Sequence, residues 1–373
     1  MQKKPLKQTK SNTFCSRPWN DVFLANKGFS PCCMIKENNF ESLQDYLTSN
    51  YLKEIKHSLL TGHKHPACKA CWDQEDAKVW SNRVQADVDF KNPKIKYAGI
   101  DFSNTCNLAC QMCQPYLSTS LGKRLNKRDG TKIQVWNTLS TAAKKLEFYK
   151  DLLPSLELLS MSGGEPFQSP DHLEFLKVAP QINSNLSLFY NSNVSNLYFK
   201  GEYIPKYFKR FKNVSISPSI DGFGLANDYQ RLNSNWDKLV KNMLEIKNYI
   251  DYIHATPTIY TLFSLGDLFD WGIKNEINVE IYMISQGPLH PSILPKDIKV
   301  NYVKQMFNRF KKYPRIIKQF ESAFFKSILQ ENSNNEQLVK QFKRQTLVNN
   351  HDSHINFPDF APELKEWYDS ILL

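Results

Sequence analysis

A chain of 373 residues, 41% hydrophobic with 24 Phe and 17 Tyr, has enough apolar material for a packed core, which excludes a largely disordered protein. The formal net charge of +11 admits an anionic partner, but no RNA-binding signature accompanies it, so nucleic-acid binding is disfavoured. No apolar run approaches the length of a membrane span, and residues 1–10 are basic and polar without an apolar stretch behind them, which predicts a cytoplasmic protein with no membrane partner.

The predicted elements fall into three regions in chain order. Residues 1–90 carry five cysteines, few strong strand signals and one helical pattern near Leu43–Leu60. Residues 91–290 alternate short β-type runs with amphipathic stretches, which predicts parallel strands joined by crossover helices. Six strands are predicted there: Tyr97–Phe102, Leu156–Met161, Leu186–Tyr190, Val214–Ser219, His254–Tyr260 and Val279–Ile284.

Six β–α units are too few for a complete eight-fold barrel, so we expect an α/β fold with an open sheet or a partial barrel. Residues 291–373 form a predicted helical C-terminal extension, with helices at Val300–Phe310 and Glu336–Arg344. The polar and aromatic segment 349–360 is expected to be a surface connection. The basic stretch Leu121–Gly130 is expected to be a solvated loop or helix face.

All eight cysteines lie in the first third of the chain, at Cys15, Cys32, Cys33, Cys68, Cys71, Cys106, Cys110 and Cys113. A disulfide framework is typical of small secreted domains rather than of one end of a large intracellular chain. Metal binding in a reducing compartment is therefore the better interpretation.

Cys106, Cys110 and Cys113 form a CxxxCxxC pattern directly after the first predicted strand. Ligand sites of α/β folds lie beyond the carboxyl ends of strands, which is where this loop falls. Three thiolates leave a cubane iron–sulfur cluster one ligand short, and the open iron position can hold a cofactor or substrate. A structural zinc ion is the alternative, but such sites use four protein ligands, usually in two separated pairs.

Two further motifs follow at later strand ends, Gly163-Gly164-Glu165-Pro166 and Ser219-Ile220-Asp221-Gly222. In this order with CxxxCxxC they resemble the GGEP and Ser-x-Asp-Gly motifs of the radical S-adenosylmethionine (SAM) enzymes. The resemblance implies a partial (βα)6 barrel over residues 91–290. It also implies a [4Fe–4S] cluster on Cys106, Cys110 and Cys113 that binds SAM and cleaves it reductively to a 5′-deoxyadenosyl radical.

The same resemblance implies SAM contacts for seven residues: Gly163, Gly164 and Glu165 at the amino group, Asn193 at the ribose, Ser219 and Arg231 at the carboxylate, and Met112 near the adenine. Each motif also has an ordinary structural alternative. Paired glycines and an Asp-Gly pair are common in turns, an arginine is common on a surface, and a methionine is common in a core.

The cysteines of residues 1–90 form a second constellation. Separated pairs of thiols bind zinc or a [4Fe–4S] cluster, and their spacing does not distinguish the two. The arrangement resembles the twitch or SPASM auxiliary-cluster modules of radical SAM proteins, placed here ahead of the barrel. It implies a second, auxiliary [4Fe–4S] cluster on Cys15, Cys32 (or Cys33), Cys68 and Cys71.

Cys32 and Cys33 are adjacent, so in an extended strand their side chains point to opposite faces and only one is expected to share a cluster with Cys15. The resemblance leaves the choice open. The preceding Pro31 matches the family's Pro-Cys-Cys and favours Cys32, whereas the Gly-to-Cys spacing of SPASM modules favours Cys33. We take Cys32 as the ligand.

Together these motifs predict a radical SAM enzyme, an oxidoreductase that abstracts a hydrogen atom from a peptide, a protein or a small metabolite. The resemblance implies a flavodoxin- or ferredoxin-like reducing partner. The alternative hypothesis is a non-catalytic zinc or iron–sulfur protein that binds nucleic acid through its basic surface. An electron-transfer protein is a third.

Overall fold

The computed structural model describes residues 11–26, 28–35, 40, 42–76, 81–86, 94–284, 286–331 and 335–373. These residues form a mixed α/β structure with a largely parallel sheet and many helices. Contacts divide the chain into two compact units: unit 1 is Met1–Thr105, Gln134–Asn191 and Tyr198–Ser215, and unit 2 is Cys106–Ile133, Ser192–Leu197 and Ile216–Leu373. The domain boundaries predicted near residues 90 and 290 remain predictions.

A six-stranded sheet has most of its residues in unit 1. Its strands, in chain order, are β1 (Asp21–Ala25), β2 (Gly28–Ser30), β3 (Tyr97–Asp101), β4 (Leu158–Ser162), β5 (Ser187–Ser192) and β6 (Asn213–Pro218). Their order across the sheet is β2-β1-β3-β4-β5-β6. β1 pairs with β3, β3 with β4 and β4 with β5 in parallel, whereas β2 is an antiparallel edge strand. Four of the six predicted strands are thus neighbours in one sheet.

Strands β1 and β2 are additions that the sequence patterns did not predict. β1 is a short strand whose buried side chains, Val22 and Leu24, alternate with half-buried ones. It pairs with β3 from Asp21 opposite Tyr97 to Leu24 opposite Ile100. β1 lies outside the alternating β–α region from which the strands were predicted, and its pairing with β3 places it in the sheet.

Several helices of unit 1 begin at a Ser or Thr whose side chain caps the first turn. The predicted helix near Leu43–Leu60 is two helices, because Ser49 has an extended backbone and its side chain accepts the N–H of Leu52 as the N-cap of the second. The α-helices of this unit are Arg17–Asn20, Leu43–Thr48, Asn50–Thr61, Lys69–Asp76, Asn82–Gln85, Ala142–Leu146 and Pro170–Ile182.

Unit 2 is mainly helical. Its α-helices are Thr119–Asp129, Leu225–Gln230, Trp236–Glu245, Leu265–Lys274, Lys296–Phe310, Pro314–Gln319, Phe325–Leu329, Asn335–Ser353, Phe357–Phe360 and Lys365–Ser370. The last two predicted strands are short, β7 (Ile253–Ala255) and β8 (Val279–Ile281), and they pair in parallel with each other. An isolated parallel bridge joins Ser219 to His254. The (βα)6 barrel remains a prediction.

The C-terminal extension differs from its expected form. The helix Asn335–Ser353 continues well beyond the predicted Glu336–Arg344 and includes part of the segment expected to be a surface connection. Asn349, Phe357 and Pro358 are buried there, whereas five residues of the segment are exposed: His351, Asp352, His354, Asn356 and Asp359. The segment is thus partly packed and partly at the surface. In the described part of the chain, no helix has the length and apolar character that crossing a membrane requires.

Candidate metal centres and cofactor site

The CxxxCxxC loop is held by the helix that follows it. The N–H of Cys106 donates to Oγ1 of Thr119 (3.1 Å), and the carbonyl of Cys106 accepts from the hydroxyl of Ser120 (2.7 Å). The hydroxyl of Ser118, the N-cap of the helix Thr119–Asp129, donates to the carbonyl of Leu108 (2.7 Å). Three consecutive hydroxyl side chains therefore hold the backbone that carries the first cysteine.

The second half of the loop is held by a short antiparallel ladder. Ala109–Cys110 pairs with Arg231–Leu232, with Cys110 opposite Arg231. The N–H of Gln111 donates to the carbonyl of Gln230 (2.8 Å), which extends the pairing by one residue. Cys110 is buried, whereas Cys106 and Cys113 are partly exposed.

Arg231 lies directly against the second cysteine. Its Nη1 donates to Sγ of Cys110 (3.8 Å), and its Nε and Nη2 lie 2.7 and 3.0 Å from the two carboxylate oxygens of Asp221. Burial lowers the pKa of Arg231, but Asp221 and then Cys110 raise it on balance, so the guanidinium keeps its charge. A buried cation with a fixed orientation therefore lies beside the thiol of Cys110.

Burial also raises the pKa of the Cys110 and Cys113 thiols, and the charge of Arg231 opposes this rise at both. These thiols are consequently protonated at neutral pH until a metal displaces the protons. Arg231 lowers the cost of that displacement because it partly balances the thiolate charge.

Asn193 is joined to the first cysteine. Its Nδ2 donates to Sγ of Cys106 (3.9 Å) and to Oδ1 of Asn107 (3.1 Å), and its Oδ1 accepts from the hydroxyl of Ser195 (2.7 Å). The Nδ2 of Asn107 donates to the same Ser195 hydroxyl (2.7 Å). The residue expected at the ribose thus belongs to a network of side chains around Cys106.

Two further predicted residues, Ser219 and Met112, lie in unit 2. Ser219 follows β6, and its N–H donates to the carbonyl of Ser192 (2.8 Å). Met112 lies in the turn between the second and third cysteines and is half-buried. Their roles toward SAM stay predictions.

The GGEP turn in unit 1 packs against the chain that leads to the cysteine loop. Gly163 has a φ of +98°, and a Cβ on Gly164 would lie 2.2 Å from the carbonyl oxygen of Thr105. The N–H of Gly164 donates to Ser103 (2.9 Å), and the N–H of Glu165 donates to Thr105 (2.7 Å). Both glycines are therefore required by backbone conformation and close approach, whatever further contact they make.

Glu165 is a buried capping residue. It is 3% exposed, and its Oε1 accepts the N–H of Phe167 (3.1 Å) at the start of the short helical turn Pro166–Gln168.

Four N-terminal cysteines line one small pocket in unit 1. Its lining includes Cys15, Cys32, Cys68 and Cys71 together with Arg17. Burial is the largest cause that raises the pKa of Cys15, Cys32 and Cys68 to about 12. At Cys68 the neighbouring Cys32 and Cys71 raise it further. These thiols too are protonated until a metal takes their place.

Cys33 occupies a different position from this group. It is exposed, receives the Nδ2 of Asn82 at 3.6 Å, and lines a second cavity of about 420 Å³. That cavity lies along one face of the sheet, and small or polar residues of three neighbouring strands line it: Gly99, Ser160, Ser162 and Asn191. Its volume is within the range of small-ligand pockets.

Both cysteine sets supply the thiol donors that iron–sulfur clusters use. Among the described residues, no group of three or more His, Cys, Asp and Glu side chains is arranged to hold a metal ion. All eight cysteines are free, and each set contains thiols alone with an arginine against them. A cluster accepts thiolates on several separate irons, so it does not need them to meet at one ion.

The sequence motifs alone predict no role for Asp221 or Gln230. Asp221 is fully buried, and the Nε2 of Gln230 donates to its Oδ2 (2.7 Å). The Ser-x-Asp-Gly pattern contains Asp221, but an Asp-Gly pair also marks an ordinary turn, and only the contact with Arg231 distinguishes the two interpretations.

No protein-family model matches the sequence, and the search of curated proteins finds no match. Among solved structures, the chain is similar to Streptococcus suis SuiB bound to S-adenosylmethionine, with 15% identity and a TM-score of 0.42 over 74% of this chain and 60% of that one. It is also similar to SuiB bound to the precursor peptide SuiA, with 13% identity and a TM-score of 0.39 over 88% and 69%.

This chain thus spans about 60% of the length of the SAM-bound SuiB chain. At these scores the likeness carries no argument about activity. The proposals below therefore depend on the residues of this chain.

Proposed function

We propose that the chain is a radical SAM enzyme. The observation that carries the proposal is the loop of three free thiols, Cys106, Cys110 and Cys113, with the buried guanidinium of Arg231 against the second. The GGEP and Ser-x-Asp-Gly motifs follow in the family's order. Three thiols and a nearby cation suit a cluster with one open iron position better than a closed zinc site.

Within this proposal, Cys106, Cys110 and Cys113 would hold a [4Fe–4S] cluster. SAM would contact Gly163, Gly164, Glu165, Asn193, Ser219, Arg231 and Met112. Cluster and SAM together would supply reductive cleavage to a 5′-deoxyadenosyl radical, which abstracts a hydrogen atom from a peptide, protein or small-metabolite substrate. The electron would come from a flavodoxin- or ferredoxin-like partner.

The chain's own residues have defined tasks in this scheme. The hydroxyls of Ser118, Thr119 and Ser120 hold the loop backbone, and Asn193 and Arg231 donate to two of the three sulfurs. The burial of Cys110 keeps water from its sulfur. These contacts orient the ligands before any cofactor binds, which lowers the cost of assembling the site.

We further propose that Cys15, Cys32, Cys68 and Cys71 bind an auxiliary [4Fe–4S] cluster, as the twitch or SPASM resemblance implies. Their shared pocket, which four free thiols and Arg17 line, supports this assignment. The cavity of about 420 Å³ beside them, lined by Cys33 and the face of the sheet, is the proposed substrate site.

The test is anaerobic reconstitution with iron and sulfide, reduction, addition of SAM and measurement of 5′-deoxyadenosine by mass spectrometry. We expect iron, sulfide and 5′-deoxyadenosine in the wild type. The matched control, a triple Cys-to-Ala variant at residues 106, 110 and 113, should lose the product while keeping the N-terminal iron. A fully loaded, reduced protein that never cleaves SAM would overturn the proposal, as would binding of zinc alone.

A further inference from the structure

We propose that the C-terminal helix Asn335–Ser353 is part of the cysteine-loop site, and that Arg124 is a positioning residue that connects the two. Any effect of Arg124 on a bound cluster rests on the proposed function. The hydrogen bonds of Arg124 to the cysteine loop and to the helix do not depend on it. The sequence alone predicts a separate helical extension over residues 291–373 and a solvated loop or helix face over Leu121–Gly130. Three groups of contacts in unit 2 carry the proposal.

The first group is made by Arg124 itself. Its Nη1 donates to Oε1 of Gln111 (3.1 Å), its Nη2 to Oδ1 of Asn349 (2.8 Å) and its Nε to Oδ2 of Asp352 (2.6 Å). The arginine side chain is 14% exposed. One planar guanidinium therefore joins the cysteine loop to two residues on the last turns of the C-terminal helix, a geometry that lysine does not reproduce.

The second group fixes Gln111, the residue directly after Cys110. Its N–H donates to the carbonyl of Gln230 (2.8 Å) and its side-chain Nε2 reaches the carbonyl of Tyr229 (3.5 Å). Arg124 takes the remaining side-chain oxygen. Backbone and side chain of Gln111 are thus both held, so the neighbouring Cys110 has little freedom to move.

The third group holds the partner strand of the loop. The hydroxyl of Tyr229 donates to Oδ1 of Asn350 on the same C-terminal helix (2.6 Å). Tyr229 is fully buried, and its ring packs against Phe360 and Tyr260, with centroids 4.9 Å away in each case. Tyr229 immediately precedes Gln230 and Arg231, which pair with the loop. The helix therefore reaches both sides of the short ladder that contains Cys110.

Two neighbouring strands of two residues each are too short to be stable without support. The helix supplies that support through charged and polar contacts at its C-terminal end. Loss of the Arg124 contacts should let the loop open locally while the core of unit 2 stays folded, because local opening requires less free energy than global unfolding. If the helix only packed in the core of unit 2, the substitution would instead destabilise the whole unit.

The test measures alkylation of individual cysteines in the metal-free full-length protein by mass spectrometry. In Arg124→Met we expect Cys110 to react about tenfold faster than in the wild type, the size of effect that loss of one or two charge-assisted hydrogen bonds gives. Cys15 and Cys71, which lie in unit 1, should react at unchanged rates. Asp352→Asn should raise the rate in the same direction by a smaller factor.

The matched control is Lys123→Met, which removes an exposed cation from the adjacent position of the same helix. It should leave the alkylation of Cys110 unchanged. Amide exchange of the helix Lys296–Phe310 in unit 2 should also be the same in all variants. Equal rates for Cys110 in Arg124→Met and Lys123→Met would overturn the proposal. Faster exchange throughout Lys296–Phe310 would overturn it too, since the effect would then be general.

A second measurement relates the Arg124 contacts to the proposed cluster. After anaerobic reconstitution, iron should leave the cysteine-loop site of Arg124→Met to a chelator several-fold faster than from Lys123→Met, while the N-terminal iron is retained equally. Failure of the wild type to produce 5′-deoxyadenosine would refute the proposed function and leave the alkylation result standing. Equal alkylation of Cys110 in Arg124→Met and Lys123→Met would refute the positioning role of Arg124 and leave the proposed function standing.

Discussion

Asp221 and Arg231 form a buried ion pair, with 2.7 Å between the carboxylate Oδ2 and the guanidinium Nε and side chains 0% and 11% exposed. Asp221 also accepts the backbone N–H of Thr256 (2.8 Å), which fixes the carboxylate from the side of β7. The pair aims the remaining nitrogen of Arg231 at Cys110 (3.8 Å). Any SAM carboxylate that binds Arg231 must therefore share it with Asp221.

Asp221→Asn should strongly destabilise the metal-free protein. The substitution leaves a buried arginine without its counter-charge, which costs about 3–5 kcal/mol. The measurement is the free energy of unfolding in urea. The exposed pair Lys365–Asp369 provides the control, because Asp369→Asn should cost less than about 1 kcal/mol. Equal losses at the two sites would contradict the prediction, and Arg231→Met should recover part of the loss in the double variant.

Substitutions of the adjacent Cys32 and Cys33 should give variants that differ in iron content per chain. Two [4Fe–4S] clusters give about eight irons per chain, so Cys32→Ser should lower the content toward about four, while Cys33→Ser keeps about eight. The reason is that Cys32 lines the pocket of Cys15, Cys68 and Cys71 as well as the larger cavity, whereas Cys33 is exposed and lines the larger cavity. Iron analysis after anaerobic reconstitution measures this. The reverse pattern would make Cys33 the ligand.

Gly164→Ala should destabilise the protein by about 1–3 kcal/mol or more, as overpacking does. Its Cβ would lie 2.2 Å from the oxygen of Thr105 and 2.7 Å from the carbonyl carbon of Asn104, and backbone atoms cannot turn away as side chains do. Gly287→Ala is the control, because a Cβ there meets nothing within 4 Å. Urea unfolding at the same midpoint for both variants would show that the turn has more room than the structure gives it.

The carboxyl of Asp101 should make stability depend on pH. Burial raises its pKa from 3.8 to about 6, against the lowering effect of the Ser162 hydroxyl that donates to it (2.7 Å). The folded state thus binds the proton more tightly, so this contribution to stability is complete below pH 3.8 and is lost as the pH rises through about 6.

Asp101→Asn should remove that loss. Relative to the wild type, the free energy of unfolding of the variant should rise by up to about 3 kcal/mol between acidic and neutral pH, which is the value of a shift of about two pKa units. Urea unfolding at about pH 4 and about pH 8 measures the difference. A difference between variant and wild type that does not change with pH would show that the carboxyl is not desolvated.

Much of the local structure was predictable because it depends on residue types close together in the chain. The first four predicted strands of the β–α region lie next to one another in the sheet, and the helix predicted at Val300–Phe310 is the end of Lys296–Phe310. Strand β1 was not predicted, because it lies outside the alternating β–α region and its place beside β3 is set by tertiary pairing. The extent of the helix Asn335–Ser353 was also missed, because polar residues near its end make tertiary contacts that the local sequence does not indicate, Asn349 with Arg124 and Asn350 with Tyr229.

The sequence by itself determined the chemistry that is available: eight cysteines, three of them in CxxxCxxC, followed by GGEP and Ser-x-Asp-Gly in a fixed order. Those facts depend only on spacing along the chain. The tertiary structure adds that Cys32 lines the pocket of the other three N-terminal thiols, and that Arg231 lies between Asp221 and Cys110. It also decided that the C-terminal helix reaches the cysteine loop through Arg124, because side chains more than two hundred residues apart meet only when the chain between them has folded.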